Sequence, residues 1–397
     1  MRSDNFRNIK IKLFILLFSL SGYGRFSSEF LISEVSFPFP ISFLIDQNRL
    51  LIAIIILCFF AMYGAQIFLK IKRYSFYISI IALHLLLATK LFLAENNWWY
   101  LNLAGAIFLM AFIGLLTKVA LLLKSFVVIE KVFFSVICVW MFSVFLLYAL
   151  GSWENIQHDS RFFFFSAHPN HAGSLWVFSA ISCLFFFMNG RTIHRALTGS
   201  FFIISLYFIY LTNSRGASLS CALGIILILF QSIRSRYKIL WISIVLILVL
   251  ASITFGENLN QLLIDQVNRG NTRGDTYAAA INGFLSYPLF GIPIYLDRPT
   301  YVENTFLAFM QLGGIIGLLL VLFFYFYALK LIIRAYKIQS QSLDINTSYF
   351  LILFSTFIFS SMFEAYPLNF ISIGSFATTT SAVFLLRAIA SRNINNI

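Results

Sequence analysis

Charge is what this chain has least of. Only 11% of its 397 residues are Asp, Glu, Lys or Arg, and the 15 acids are outnumbered by 28 bases. A soluble domain averages about 25% charged residues, so a soluble globular enzyme is excluded. So is a disordered chain, which needs low hydrophobicity to stay unfolded. The four cysteines, Cys58, Cys138, Cys183 and Cys221, all lie inside apolar runs. None has a metal-ligand spacing and none sits in a polar loop, so a disulfide scaffold is excluded and they read as small buried hydrophobes. Seven prolines and 20 glycines without runs exclude a collagen-like or linker-dominated chain. No Walker A sequence occurs, and the basic segments between apolar runs are too short for a nucleotide-binding domain. No inverted internal repeat of the transporter type is visible.

What is present is hydrocarbon. The chain is 60% hydrophobic and 18% aromatic, with 48 Phe, and its mean hydropathy is +0.88. Apolar runs long enough to cross a bilayer recur from end to end, which marks a polytopic helical membrane protein. A transmembrane β-barrel would show alternating segments of roughly ten residues instead. Twelve spans are predicted, at 11–23, 50–69, 75–94, 98–116, 132–150, 172–188, 197–212, 217–232, 239–255, 304–328, 348–363 and 367–386. The first is short and basic-flanked, without a small-residue cleavage site, and reads as a retained signal anchor. The expectation is an all-α single integral membrane domain over 1–397, with 256–303 as its largest extramembrane loop.

The net charge of +13 sorts by topology. With both termini in the cytoplasm, cytoplasmic segments hold 20 of the 28 basic residues and only three of the acids, Asp4, Glu130 and Asp344. This is the expected bias of a multi-pass protein. The excess of bases is an orientation signal, and nucleic acid is not an expected partner. Lys90 is left over near a helix end, where it can snorkel.

Seven basic residues remain on the outer side, all Arg. The guanidinium fork matches phosphate oxygens two at a time and keeps its charge at any relevant pH. Arg215 lies in LTNSRGASLS, where about four residues separate a pair of apolar runs. An Arg that close to hydrocarbon costs up to roughly 2.5–3.5 kcal/mol. The bland alternative is interfacial snorkelling; the functional one is an anion clamp at membrane depth. Arg273 opens a predicted short helix, 275–285, with Thr272 or Asp275 as cap, so free N–H groups would join its charge. Arg269 is by itself an ordinary loop cation and joins the set as a substrate-binding candidate. Glu303 and Asn304 open the tenth span, where the helix dipole favours an anion and suits Glu303 as a base or hydroxyl acceptor. Without that role it is a plain N-terminal carboxylate. His168, Asn170 and His171 in SAHPNHAG have no third metal ligand, and Pro169 interrupts their spacing, so contacts to sugar hydroxyls are expected and a metal is not. Gly313, Gly314 and Gly317 suit close helix packing.

Taken in order, these features resemble the O-antigen ligase and polymerase superfamily, which comprises Wzy-type polysaccharide polymerases, WaaL-type ligases and bacterial protein O-glycosylating enzymes. The resemblance rests on His168-Pro169-Asn170, Ser214-Arg215-Gly216, Arg273, Pro288-Leu289-Phe290-Gly291, and Glu303-Asn304 followed by Gly314 and Gly317. It implies glycan transfer at the periplasmic face of a bacterial inner membrane. The donor would be an undecaprenyl-pyrophosphate-linked oligosaccharide. An acceptor hydroxyl attacks the anomeric carbon with inversion, and no metal or other cofactor takes part. Arg215 and Arg273 would neutralise the pyrophosphate, Glu303 would orient or deprotonate the acceptor, and Asn304, His168, Asn170, His171 and Arg269 would bind substrate. Lipid A-core ligases usually carry His where this chain has Glu303, so the resemblance leans toward a polymerase, with a chain-length regulator as a possible partner. The alternatives are a ligase to lipid A-core and, in another class, a flippase for the lipid-linked glycan.

Overall fold

The structure, a computed structural model, describes residues 2–23, 39, 41–63, 75–94, 99–123, 125–151, 157–158, 161–165, 169–190, 192–232, 272–293, 304–342, 344–364 and 372–395. Among them the chain is helical apart from one tiny hairpin. The helices are α1 (Arg2–Leu20), α2 (Ile41–Tyr63), α3 (Ser75–Leu93), α4 (Trp99–Val119), α5 (Phe126–Ala149), α6 (Pro169–Asn189), α7 (Thr192–Thr212), α8 (Arg215–Ser232), α9 (Thr272–Ser286), α10 (Thr305–Ser342), α11 (Ile345–Ser360) and α12 (Ile373–Asn395). Strands β1 (Gln157–His158) and β2 (Arg161–Phe162) pair antiparallel, Gln157 opposite Phe162.

Among the described residues six helices, α4, α5, α6, α7, α10 and α12, are long and apolar enough to cross a membrane, and α2 makes a seventh if its two arms form one span. With these the chain is a multi-pass membrane protein. The apolar stretches of α3, α8 and α11, Tyr77–Leu93, Arg215–Gln231 and Ile345–Ser360, are shorter. At 1.5 Å per residue such a helix covers about 25 Å, less than a hydrocarbon core of about 30 Å. The predicted ninth span, 239–255, lies outside the described residues; among the described residues the candidate spans number six or seven, and twelve are not shown.

Helices α6 and α12 are the most buried of the long ones. Both are rich in small residues, which let helices approach where lipid gives no hydrophobic drive to associate. Some of their hydroxyls find partners nearby: Thr378 donates to the Gly374 carbonyl at 2.7 Å, Ser205 of α7 to Ser179 at 2.9 Å, and Ser182 pairs with Tyr349 of α11 at 2.8 Å. Around them sits an aromatic core. The ring of Phe18 meets Phe178 at 5.1 Å and Phe133 at 5.2 Å, and Phe112 meets Phe376 at 4.3 Å. Trp140 ties α5 to α1 by donating to the Ser19 carbonyl at 2.9 Å. Cys183 and Cys221 are buried as expected, Cys138 is half-buried, but Cys58 is exposed.

The largest departure from expectation is α10. Gly314 sits at φ 60, ψ −142, outside helical geometry. The rings of Phe306 and Tyr325 nevertheless stack at 4.5 Å. Nineteen residues of straight helix would hold them about 28 Å apart. The first arm, 305–313, therefore folds back along the second arm, 315–342. A Cβ on Gly317 would meet the Phe309 backbone, so glycine is needed where the arms touch. The predicted tenth span, 304–328, is thus a helical hairpin, and the membrane-crossing length belongs to the second arm.

Gly313 meets only side-chain ends, Leu83 Cδ1 at 3.2 Å and Leu86 Cδ2 at 3.4 Å from a notional Cβ, whereas one on Gly314 would lie 2.6 Å from the Leu289 backbone. Gly314→Ala should therefore destabilise by more than the roughly 1–3 kcal/mol of a glycine-only backbone conformation alone, while Gly313→Ala stays near neutral. Melting temperatures in detergent check this; equal values for the two variants would contradict the break.

Candidate functional site

The SRG segment forms the junction of α7 and α8. Asn213 takes a left-handed φ of 49 to turn the chain, as Asn does more readily than most residues. Ser214 caps α8: its carbonyl accepts from the Ser218 amide at 3.0 Å, and its Oγ accepts from the Ala217 amide at 3.4 Å. Arg215 is then the first helical residue, with its side chain exposed. A guanidinium and the positive end of a helix dipole thus share one place.

Helix α6 reaches the same point. Pro169 stands at its first position, where the missing N–H is no loss. Asn170 is buried, His171 half-buried, and the Asn170 carbonyl accepts from Ser174 at 2.9 Å. One turn on, a Cβ on Gly173 would lie 2.6 Å from Ala217 Cβ and 3.2 Å from Ser214 Cβ. The glycine lets the first turns of α6 and α8 touch. Phe164, ahead of α6, packs on Trp176 and Phe208, with centroids at 5.3 and 4.9 Å.

The first arm of α10 joins through the turn after α11. Asn304 caps the arm, its Oδ1 accepting from the Leu307 amide at 3.0 Å. Its Nδ2 donates to the Met362 carbonyl at 2.6 Å. Thr305 Oγ1 reaches the Ser361 carbonyl at 2.5 Å and the Glu364 carbonyl at 3.2 Å, and Tyr325 pairs with the Ser361 hydroxyl at 2.8 Å. That turn lies against α8: from a notional Cβ on Gly216, Phe363 Cβ is 3.1 Å away and Glu364 Oε1 3.9 Å.

Three helix N-termini, those of α6, α8 and α10, are thereby linked by direct contacts around the turn 361–364. Converging N-termini beside an arginine suit an anion with several oxygens, a phosphate or pyrophosphate. Of the residues predicted for the site, Arg215, Asn304, Asn170 and His171 fall in this assembly. Arg273 lies in the first turn of α9, which begins three residues before the predicted 275, and its side chain lies outside the described residues. Glu303, Arg269 and His168 also lie outside them. Among the described residues no three His, Cys, Asp or Glu side chains gather.

Glu364 is an addition to the predicted set. It is a buried carboxylate, 7% exposed, beside the SRG segment. Its sequence signal is an acid alone between a pair of apolar runs, costly enough to need a reason.

The α6–α8 contact is open to a compensation test. Gly173→Ala should lower stability by about 1–3 kcal/mol through overpacking, and Ala217→Gly added to it should restore most of the loss. Thermal melts of the single and double variants measure this; additive losses would place the clash elsewhere.

No curated protein matches this chain. Residues 200–322, which contain the SRG segment, α9, the first arm of α10 and the start of its second arm, match the family model described as O-antigen ligase, and that match supports membership of the O-antigen ligase and polymerase superfamily.

Proposed function

We propose that this protein is a Wzy-type polymerase, which transfers an undecaprenyl-pyrophosphate-linked glycan to a sugar hydroxyl at the periplasmic face of the bacterial inner membrane. The observation that carries the reading is the junction of the α6, α8 and α10 N-termini at Arg215, inside a bundle with O-antigen-ligase similarity. The topology proposed with it has twelve spans and both termini in the cytoplasm.

Arg215 binds the pyrophosphate and, with Arg273, offsets the charge that grows as the carrier leaves. Fixed charges of this kind need no reorganisation during the reaction. Glu303 orients or deprotonates the acceptor hydroxyl, one residue before the Asn304 cap that anchors the arm. Glu364, whose Oε1 lies 3.9 Å from a notional Cβ on Gly216, adds a buried acid beside the SRG segment. Asn170, His171, His168 and Arg269 contact sugar or phosphate. The bond between anomeric carbon and phosphate oxygen breaks as the acceptor oxygen bonds to that carbon. The acceptor proton goes to base, and undecaprenyl pyrophosphate departs. The leaving group carries the activation, so no nucleotide or metal enters.

Deleting the gene and running surface polysaccharide on a gel separates the candidates. Loss of polymerase leaves core bearing a single repeat unit. Loss of ligase leaves bare core and accumulates lipid-linked polymer, and loss of a flippase traps repeat units inside. Arg215→Ala should reproduce the single-unit pattern, with transfer down about 10²–10³-fold as for other charge-stabilising donors, while membrane levels stay normal. A wild-type ladder from both Arg215→Ala and Arg273→Ala would refute the anion clamp. Glu303→Gln separates roles: retained polymer leaves Glu303 a positioning residue.

A further inference from the structure

Lys90 does not snorkel. Its ammonium has three N–H donors, and three backbone carbonyls lie in reach: Phe290 at 2.7 Å, Ile292 at 2.8 Å and Leu312 at 2.7 Å. The first and second belong to the turn after α9, and the third is in the last turn of the first arm of α10. That arm ends in carbonyls with no helical partner and carries the negative end of its dipole there, where a cation is favoured.

The turn itself completes the repair. Across an unbroken helix the Ile315 amide would bond the Gln311 carbonyl. Here Ile315 donates to the Pro288 carbonyl at 2.7 Å, and Gln311 accepts from the Ile292 amide at 2.9 Å. The turn has inserted into the break and exchanged one donor and one acceptor with it. Gly291, at φ 75, and Gly314 face each other there: a Cβ on Gly291 would lie 2.5 Å from the Leu312 carbonyl carbon, and one on Gly314 would lie 2.6 Å from the Gly291 nitrogen.

We propose that Lys90 is a positioning residue, the pin that fixes the 287–292 turn, and with it α9, against the break in α10. The pin acts on both sides of the site at once. Helix α9 runs directly into the turn and carries Arg273 at its far end, while the first arm of α10 carries Asn304 at its other end and Glu303 just before it. Without the ammonium, three carbonyls lose their donor, and the turn competes for the break with water or lipid headgroups. The consequence for transfer rests on the function proposed above; the mechanical role does not.

The test replaces Lys90 with Met, which keeps the stem and removes every donor. Spin labels at Leu93→Cys and Tyr287→Cys, both exposed sites on either side of the pin, are read in purified full-length protein with Cys58 and Cys138 changed to Ser. The expected result is a narrow distance distribution with Lys90 and a broad one with Lys90→Met. In membranes supplied with lipid-linked repeat units, kcat should fall at least about tenfold, and the acceptor KM should stay within about twofold. A loss of stability alone would reduce the amount of active protein without broadening that distance in the folded fraction. An unchanged distance distribution overturns the pin, and a broad one with unchanged kcat overturns its positioning role in transfer. If Lys90→Met fails to accumulate, Lys90→Gln, with two donors, goes through the same measurements. If the protein with Lys90 transfers no glycan, the proposed function fails, and the distance measurement still decides the pin.

Discussion

A peptide group in hydrocarbon must find its partner within the protein, because no water is there to replace it and each orphan costs several kcal/mol. The reversal at Gly314 is where this chain runs up against that rule. A helix that stops leaves donors or acceptors unpaired at its end, and here two helical ends meet at one residue. The 287–292 turn and Lys90 supply what is missing, by a pair of exchanged amide bonds and an ammonium shared among three carbonyls. Segments far apart in sequence, α3, α9 and α10, become one unit as a result.

The same economy governs the other end of the first arm. Asn304 and Thr305 bind the Ser361, Met362 and Glu364 carbonyls, and the turn those carbonyls belong to rests on Gly216. Side-chain amide, hydroxyl and ammonium groups bonded to main chain thus run from the PLFG turn through the arm to the α11 turn. Van der Waals contact through Gly216 and Gly173 carries the linkage on to α8 and α6. These joints are made by neutral groups, glycines and one lysine, and none of them needs Arg215.

Those two kinds of joint differ sharply in how far the sequence discloses them. Long apolar runs announce α4 through α7 and α12 because lipid demands continuity, and the SRG junction stands out because an arginine between such runs is expensive. Helix α9 is legible within a few residues from its caps. The break in α10 is not. Glycines in GGIIG serve close packing or reversal equally well, and the choice is made by a turn over twenty residues upstream. Lys90 is equally opaque, since its partners lie 200, 202 and 222 residues away. Glu364 is legible only in part: an acid between apolar runs is a signal, but a polar turn residue after a helix is commonplace, and its burial against Gly216 is what sets it apart.

The distribution of charge bears on the choice between moving a lipid-linked glycan and reacting it. Carrying a pyrophosphate through the bundle would call for cations at successive depths. Among the described residues, buried interior positions hold mainly hydroxyls, some of them bonded to neighbours, as in Ser182 with Tyr349 and Ser205 with Ser179. Glu130, another buried carboxylate, lies against Gly190 where α6 ends, at the opposite end of that helix from Arg215. An anion that docks at the α6, α8 and α10 N-termini meets favourable charge at one rim and an apolar bundle beyond it. That arrangement suits holding the carrier by its pyrophosphate while the sugar leaves, and it gives the anion no reason to travel further.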